Sequence, residues 1–217
     1  MNKYRKFDNK NLELPKFDPS PSGKFACSVL REVGVRGTLI GRLAIWAWVE
    51  DSSRHNFTKD LDIAISRRDE RKLLAYLSDY KDLRVRQLSI GGFNISDEAN
   101  NIKVDFIHRL SLEWGDLSHL YEEAIREAAK LDHVVTIGGS PLLLVPVEYL
   151  LTMKLATAER KDEDDVKSLL ENVESLEVDK VRDLVCRHIG PLWKAKFENL
   201  LREAGHPKAV MRKNYTS

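Results

Sequence analysis

Cysteine is nearly missing from this chain of 217 residues: only Cys27 and Cys186 occur, far apart and in no CxxC pair. That argues against a disulfide framework and a structural zinc site, and it fits a reducing cytoplasm. An excess of charge of one sign is missing as well. The 35 basic and 34 acidic side chains leave a net charge of +1, so no chain-wide electrostatic grip on nucleic acid is expected. Long apolar runs are absent; a stretch such as Leu142 to Val147 is far too short to span a bilayer. The basic start, Met1 to Lys6, is not followed by an apolar segment, so neither a secretory leader nor a membrane partner is expected. There is no internal repeat. What is present, 42% hydrophobic and 32% charged residues, is the profile of a soluble globular protein with one substantial core, or a core plus a helical appendage.

Residues 1–23 are polar and interrupted by Pro15, Pro19, Pro21 and Gly23, which predicts an extended arm. Helical spacing runs over 24–33. A short apolar run bounded by glycines, 37–41, predicts a buried strand, and 42–49 a helix. Further strands are predicted at 61–66, 83–90, 93–96, 102–107 and 133–137, with helices at 69–80 and 117–129. From Pro146 onward the pattern is helical: 146–159, 162–173, 178–188 and 191–204, with Pro146 and Pro191 at favoured first-turn positions. The fold class read from this is α+β: a mixed sheet of four or five strands with flanking helices over 24–145, then a helical bundle over 146–205. A flexible tail occupies 206–217.

Asp60 and Asp62 flank Leu61 at the start of a predicted strand. Side chains two apart on a strand share a face, so both carboxylates project together while Leu61, Ile63 and Ile65 face the core. Two such carboxylates repel unless a cation sits between them, and Mg²⁺ takes hard oxygen ligands together with triphosphate oxygens. A lone D-x-D is more often just two surface acids. Three other features bear on the choice. Gly41-Arg42 opens a helix directly after a strand, where free backbone N–H groups cradle phosphate. Asp105 is an acid within the alternating strand Ile102 to Ile107, where a third metal ligand and a water-facing acid are both open readings. Lys154 lies on a helix ahead of the acidic run Asp162 to Asp165; it could hold a triphosphate, or belong to a solvated face. His108 is expected at the surface. Trp46 and Trp48 are expected as core and rim aromatics. The C-terminal bases, including Lys194, Lys196, Arg202, Lys208, Arg212 and Lys213, alternate with acids as on a solvated helix face.

Taken in order, Leu39 to Ala44, Thr58 to Ile63, Val104 to Ile107, Tyr149 to Ala156 and Arg160 to Asp165 resemble the AbiEii-type nucleotidyltransferase-like proteins of the DNA polymerase beta superfamily. The likeness covers roughly residues 35 to 170. It implies a nucleotidyltransferase fold and transfer of a nucleotidyl group from a nucleoside triphosphate to an acceptor hydroxyl on tRNA, a protein or a small molecule. Two Mg²⁺ ions would be held by Asp60, Asp62 and Asp105. Gly41, Arg42, Thr58, Lys154, Asp162 and Asp165 would serve the nucleotide. Relatives of this type include toxins of toxin–antitoxin pairs, so an antitoxin partner is implied too. The chain departs from the family pattern at two points. Arg42 stands where a small residue is usual, and Asn56 stands where an arginine is usual, with Arg54 further off. A binding module that kept the fold and lost catalysis is the alternative these departures raise.

Overall fold

In the computed structural model the described residues are 4–6, 18–51, 58–111, 115–157 and 160–209. The chain forms two compact units, Met1–Pro146 and Val147–Ser217.

In the first unit, Pro21 lies in the first turn of α1 (Ser20–Val33), where its missing N–H has no helical partner to lose. The proline-rich stretch therefore starts a helix at Ser20, earlier than the expected residue 24. The elements that follow are β2 (Gly37–Leu39), α2 (Gly41–Trp48), β3 (Leu61–Ile65), α3 (Glu70–Leu77), β4 (Arg84–Gln87), β5 (Gly92–Asp97), β6 (Ile102–Ile107), β7 (Leu110–Ser111), β8 (Gly115–Asp116), α4 (Ser118–Leu131), β9 (Val134–Ile137) and β10 (Ser140–Leu143), with β1 (Tyr4–Lys6) ahead of α1. Five strands form one sheet in the order β2-β3-β6-β5-β4; β3 and β6 run parallel and the other neighbours antiparallel. A second sheet, β1-β9-β10, and a two-stranded β7-β8 ribbon complete the unit.

Period-two alternation splits the large sheet into two faces. On one lie Leu61, Ile63, Ile65, Phe93, Ile95, Val104 and Phe106, all fully buried. Phe93 and Phe106 are register partners with ring centroids 5.2 Å apart. Helix α1 covers this face, since Leu30 and Ile63 both border Gly37. Each such buried side chain contributes on the order of 2 kcal/mol. Strand β4 is shorter than the predicted 83–90 and exposed throughout: it pairs only with β5, and the chain turns at Leu88 to Gly91. Arg84 and Arg86 charge this edge, which discourages pairing with another chain.

The second unit is helical: α5 (Val147–Thr157), α6 (Arg160–Asn172), α7 (Val178–His188) and α8 (Pro191–Glu203). α5 is buried along most of its length, and α6 and α7 pack beside it. Val181, Leu184 and Val185 on α7, with Phe197, Leu200 and Leu201 on α8, supply apolar stripes at helical spacing. Arg182 joins the two helices through a fork to Glu198, Nε to Oε1 at 2.6 Å and Nη2 to Oε2 at 3.1 Å. Among the described residues no helix is long and apolar enough to cross a membrane.

Candidate functional site

The second face of the large sheet is polar, and register assembles it into rows. Asp62 pairs with Asp105, Asp105 with Asn94, and Asn94 with Arg86, so these four side chains cross β3, β6, β5 and β4 in line. One step along, Lys103 pairs with Ser96 and Ser96 with Arg84. Asp60 lies just ahead of β3, and its Oδ2 is 3.7 Å from Lys103 Nζ. Thr58, itself buried, places Oγ1 3.2 Å from both the main-chain oxygen and Oδ1 of Asp60, which orients that carboxylate.

The turn from β2 into α2 presses against Asp62. Ile40 N donates to Asp62 O at 3.0 Å. Gly41 adopts φ +67°, and a Cβ there would stand 1.9 Å from Asp62 Oδ2. A glycine is required twice over, for its left-handed conformation and for the space Asp62 occupies. The helix then opens beside an acid without a side-chain hydrogen bond from its N-cap, Ile40, and Arg42 follows, half-buried.

Asp105 is half-buried and accepts a hydrogen bond from Asn94 Nδ2. Its burial pushes its pKa above the ordinary 3.8, and the neighbouring Asp60 charge adds to that, against the opposing pull of Asn94, Lys103 and Lys59. Asp60 thus bears on Asp105 as a like charge, opposed by Lys103 and Lys59, and a cation between the two acids would relieve it further. The donor set is chemically suited to Mg²⁺, all carboxylate oxygens on one sheet face. Among the described residues no three His, Cys, Asp or Glu side chains already converge as a cage. Asp60 is instead held by Thr58 and Lys103.

The later sequence motif folds within the helical unit. Lys154 Nζ lies 2.6 Å from Asp162 Oδ1 and 2.8 Å from Asp165 Oδ2; both aspartates are buried and the lysine is half-buried. Thr157 donates to the other Asp162 oxygen. Burial lowers the pKa of Lys154, but the two carboxylates outweigh it and the net shift is upward.

Sequence reasoning missed Lys103, Asn94 and Arg86. Lys103 was within reach, because it is two residues from Asp105 on one strand; Asn94 and Arg86 depend on cross-strand register. His108 is buried rather than at the surface, with Nε2 3.1 Å from Glu70 Oε2 on α3. It belongs to the opposite face from Asp105. Trp46 is buried and Trp48 donates from Nε1 to Val145 O at 2.9 Å, as core and rim aromatics do. Asn56, Arg54, Arg212 and Lys213 lie outside the described residues.

No family model matches the chain, and no curated protein does. Solved structures do. The solution structure of the antibiotic-resistance factor ANT(2″)-Ia aligns with a TM-score of 0.53 at 16% identity, covering 86% of this chain and 97% of that one. The crystal structure of ANT(2″)-Ia in complex with adenylyl-2″-tobramycin aligns at 0.50 and 16% identity, over 78% and 93%. A nucleotidyltransferase-like protein from Paracoccidioides brasiliensis aligns at 0.47 and 14% identity, over 87% and 93%. The α+β architecture, a five-stranded mixed sheet with flanking helices followed by helices, is the nucleotidyltransferase fold.

Proposed function

We propose that this protein transfers a nucleotidyl group from a nucleoside triphosphate to an acceptor hydroxyl, with Mg²⁺ held by Asp60, Asp62 and Asp105. The observation that carries the reading is the register pairing of Asp62 with Asp105 directly against the Gly41 turn. A helix start of the kind that binds phosphate and a pair of carboxylates of the kind that binds metal meet on one face of the sheet, in the fold of ANT(2″)-Ia, a protein seen with adenylyl-2″-tobramycin. The AbiEii-like motif order supports the same assignment, and with it a place among toxins that have an antitoxin partner. The absence of a membrane-length apolar helix among the described residues is compatible with cytoplasmic work.

In this reading the N-terminal N–H groups of α2, with Arg42, hold triphosphate oxygens. Thr58 keeps Asp60 oriented, and Asp105 accepts the proton of the attacking hydroxyl. Bound Mg²⁺ supplies neutralisation of charge at the α-phosphate. The acceptor oxygen bonds to the α-phosphorus, the bond from that phosphorus to the bridging oxygen breaks, and pyrophosphate leaves. The protein's share is mostly positioning. Lys154, Asp162 and Asp165 are assigned a structural part, because an ammonium within 2.8 Å of two carboxylates is already neutralised. A triphosphate that draws on Lys154 must break one of those ion pairs.

The test is Mg²⁺-dependent labelling with α-labelled nucleotides. Asp60→Ala and Asp62→Ala are each expected to abolish it with circular dichroism unchanged; labelling that survives in both variants refutes the assignment.

A second reading has one specific observation in its favour: Arg42, a long side chain, in the first turn of α2 where phosphate must approach closely. It makes the protein a nucleotide-binding module without turnover. Calorimetry with each triphosphate plus Mg²⁺ distinguishes the two, since clear turnover excludes the module and tight binding without product excludes the enzyme.

A further inference from the structure

Beyond the acidic pair, the polar face of the large sheet continues into an open cavity of about 350 Å³. Its lining includes Lys59, Arg86, Asn94, Ser96, Glu98 and Lys103. Three of these are cations and one is an acid. Glu98 is already drawn off by Arg84, with Nη1 at 3.2 Å from Oε1. Lys103 leans on Asp60 at 3.7 Å, whereas Arg86 makes no ion pair among the described residues. Asn94 and Ser96 add an amide and a hydroxyl between the charges. The cavity is thus lined for an anion, with neutral donors and acceptors beside it. It also adjoins the chemistry: Asn94, part of its wall, donates to Asp105.

We propose that this cavity binds the acceptor, and that the acceptor is a phosphate ester about the size of one nucleotide. The inference rests on the nucleotidyl-transfer reading and deepens it by naming the substrate class. The volume falls at the lower end of small-molecule sites and suits a single sugar phosphate with its base. The phosphate sits between Arg86 and Lys59, where a guanidinium offers a two-pronged hydrogen bond. A hydroxyl of the same ester then faces Asp105. Its O–H proton passes to the Asp105 carboxylate as the oxygen bonds to the α-phosphorus of the triphosphate, and pyrophosphate departs with the bonding pair of the cleaved Pα–O bond. A polycationic acceptor of the aminoglycoside kind is disfavoured, because Lys59, Arg86 and Lys103 would repel it.

The test is metal-free and triphosphate-free binding, measured by calorimetry on the full chain with adenosine 5′-monophosphate, adenosine and tobramycin as probes. The monophosphate is expected to bind at least tenfold tighter than adenosine, with affinity falling as salt rises, and tobramycin not at all. Arg86→Glu and Lys59→Glu, both at exposed positions, are each expected to weaken the monophosphate at least tenfold. Binding must persist when a non-hydrolysable triphosphate with Mg²⁺ is saturating. Equal affinity for adenosine and its monophosphate overturns the proposal. So does indifference to both charge reversals, displacement by the triphosphate, or a preference for tobramycin. A short RNA with a free 3′ hydroxyl, compared with the mononucleotide, tells a polymer end from a free metabolite as the source. Loss of labelling in the Asp60 and Asp62 variants is a separate result: should transfer fail altogether while the monophosphate binds as described, the transfer reading falls and the anion site stands.

Discussion

Gly41 and Asp62 share one space: the position of a Gly41 Cβ lies 1.9 Å from Asp62 Oδ2, at a backbone φ of +67°. A single added methyl group would therefore push on the Asp62 carboxylate and strain the turn together. Gly41→Ala is expected to lower nucleotidyl transfer at least a hundredfold, with a stability loss of about 1–2 kcal/mol from the left-handed conformation. Single-turnover labelling and urea unfolding measure the two effects. A variant as active as the parent would show that Asp62 need not stay where the turn holds it.

Asp105 has a folded pKa above 3.8, mainly through burial, then through the charge of Asp60. An acid with a raised folded pKa holds its proton more tightly in the folded state than in the unfolded one. Stability is therefore highest below the unfolded value and falls as pH climbs through the folded value. Asp105→Asn keeps an acceptor for Asn94 and removes the ionisation. With chelator present, the variant is expected to be the more stable protein at pH 7, and its advantage should shrink to nothing as pH drops below about 4. Melting temperatures across that range decide it; a difference that does not change with pH would contradict the burial argument.

Lys154 is held by Asp162 and Asp165 at 2.6 and 2.8 Å, with 13%, 5% and 3% of the respective side chains exposed. Removing the cation leaves two buried carboxylates facing each other. Lys154→Met is expected to destabilise the protein by about 3 kcal/mol, and adding Asp162→Asn and Asp165→Asn to recover most of that. Because the lysine pKa is raised, its contribution is complete below 10.5 and is lost only as pH passes the higher folded value. Should the triple variant be no better than Lys154→Met alone, the cluster is not what holds these helices.

The parts of the site visible in the sequence were those set by a local period. Asp60 and Asp62 share a face because strands alternate, and Asp162 and Asp165, three apart on α6, share one because helices turn. Gly41 was visible as a break between an apolar run and a helix. Register was not visible. Nothing within 61–66 or 102–107 says that Asp62 stands beside Asp105, or that Asn94 and Arg86 extend the row across β5 and β4. His108 shows the same gap from the other side. Just after the Asp105 strand it reads as a plain surface histidine, yet Glu70 on α3 lies against it and it is buried. The proline-rich opening misled for a local reason: Pro21 reads as a breaker but is equally a first-turn residue, and α1 uses it so.

Arg182 on α7 grips Glu198 on α8 with two parallel hydrogen bonds, and its Nη2 also donates to Lys208 O at 2.8 Å. A lysine carries the same charge but cannot form the fork, and its one ammonium cannot serve a carboxylate and a distant carbonyl in the same plane. Arg182→Lys is accordingly expected to cost about 1–2 kcal/mol despite charge conservation, at a position only 18% exposed. Glu198→Gln keeps the shape and removes the charge, and should cost a similar amount. The decisive measurement is the double variant in urea unfolding. If the two residues act as a pair, the combined loss falls well short of the sum of the single losses. Strict additivity would mean that each residue stabilises its own helix and that the fork contributes nothing to joining α7 and α8.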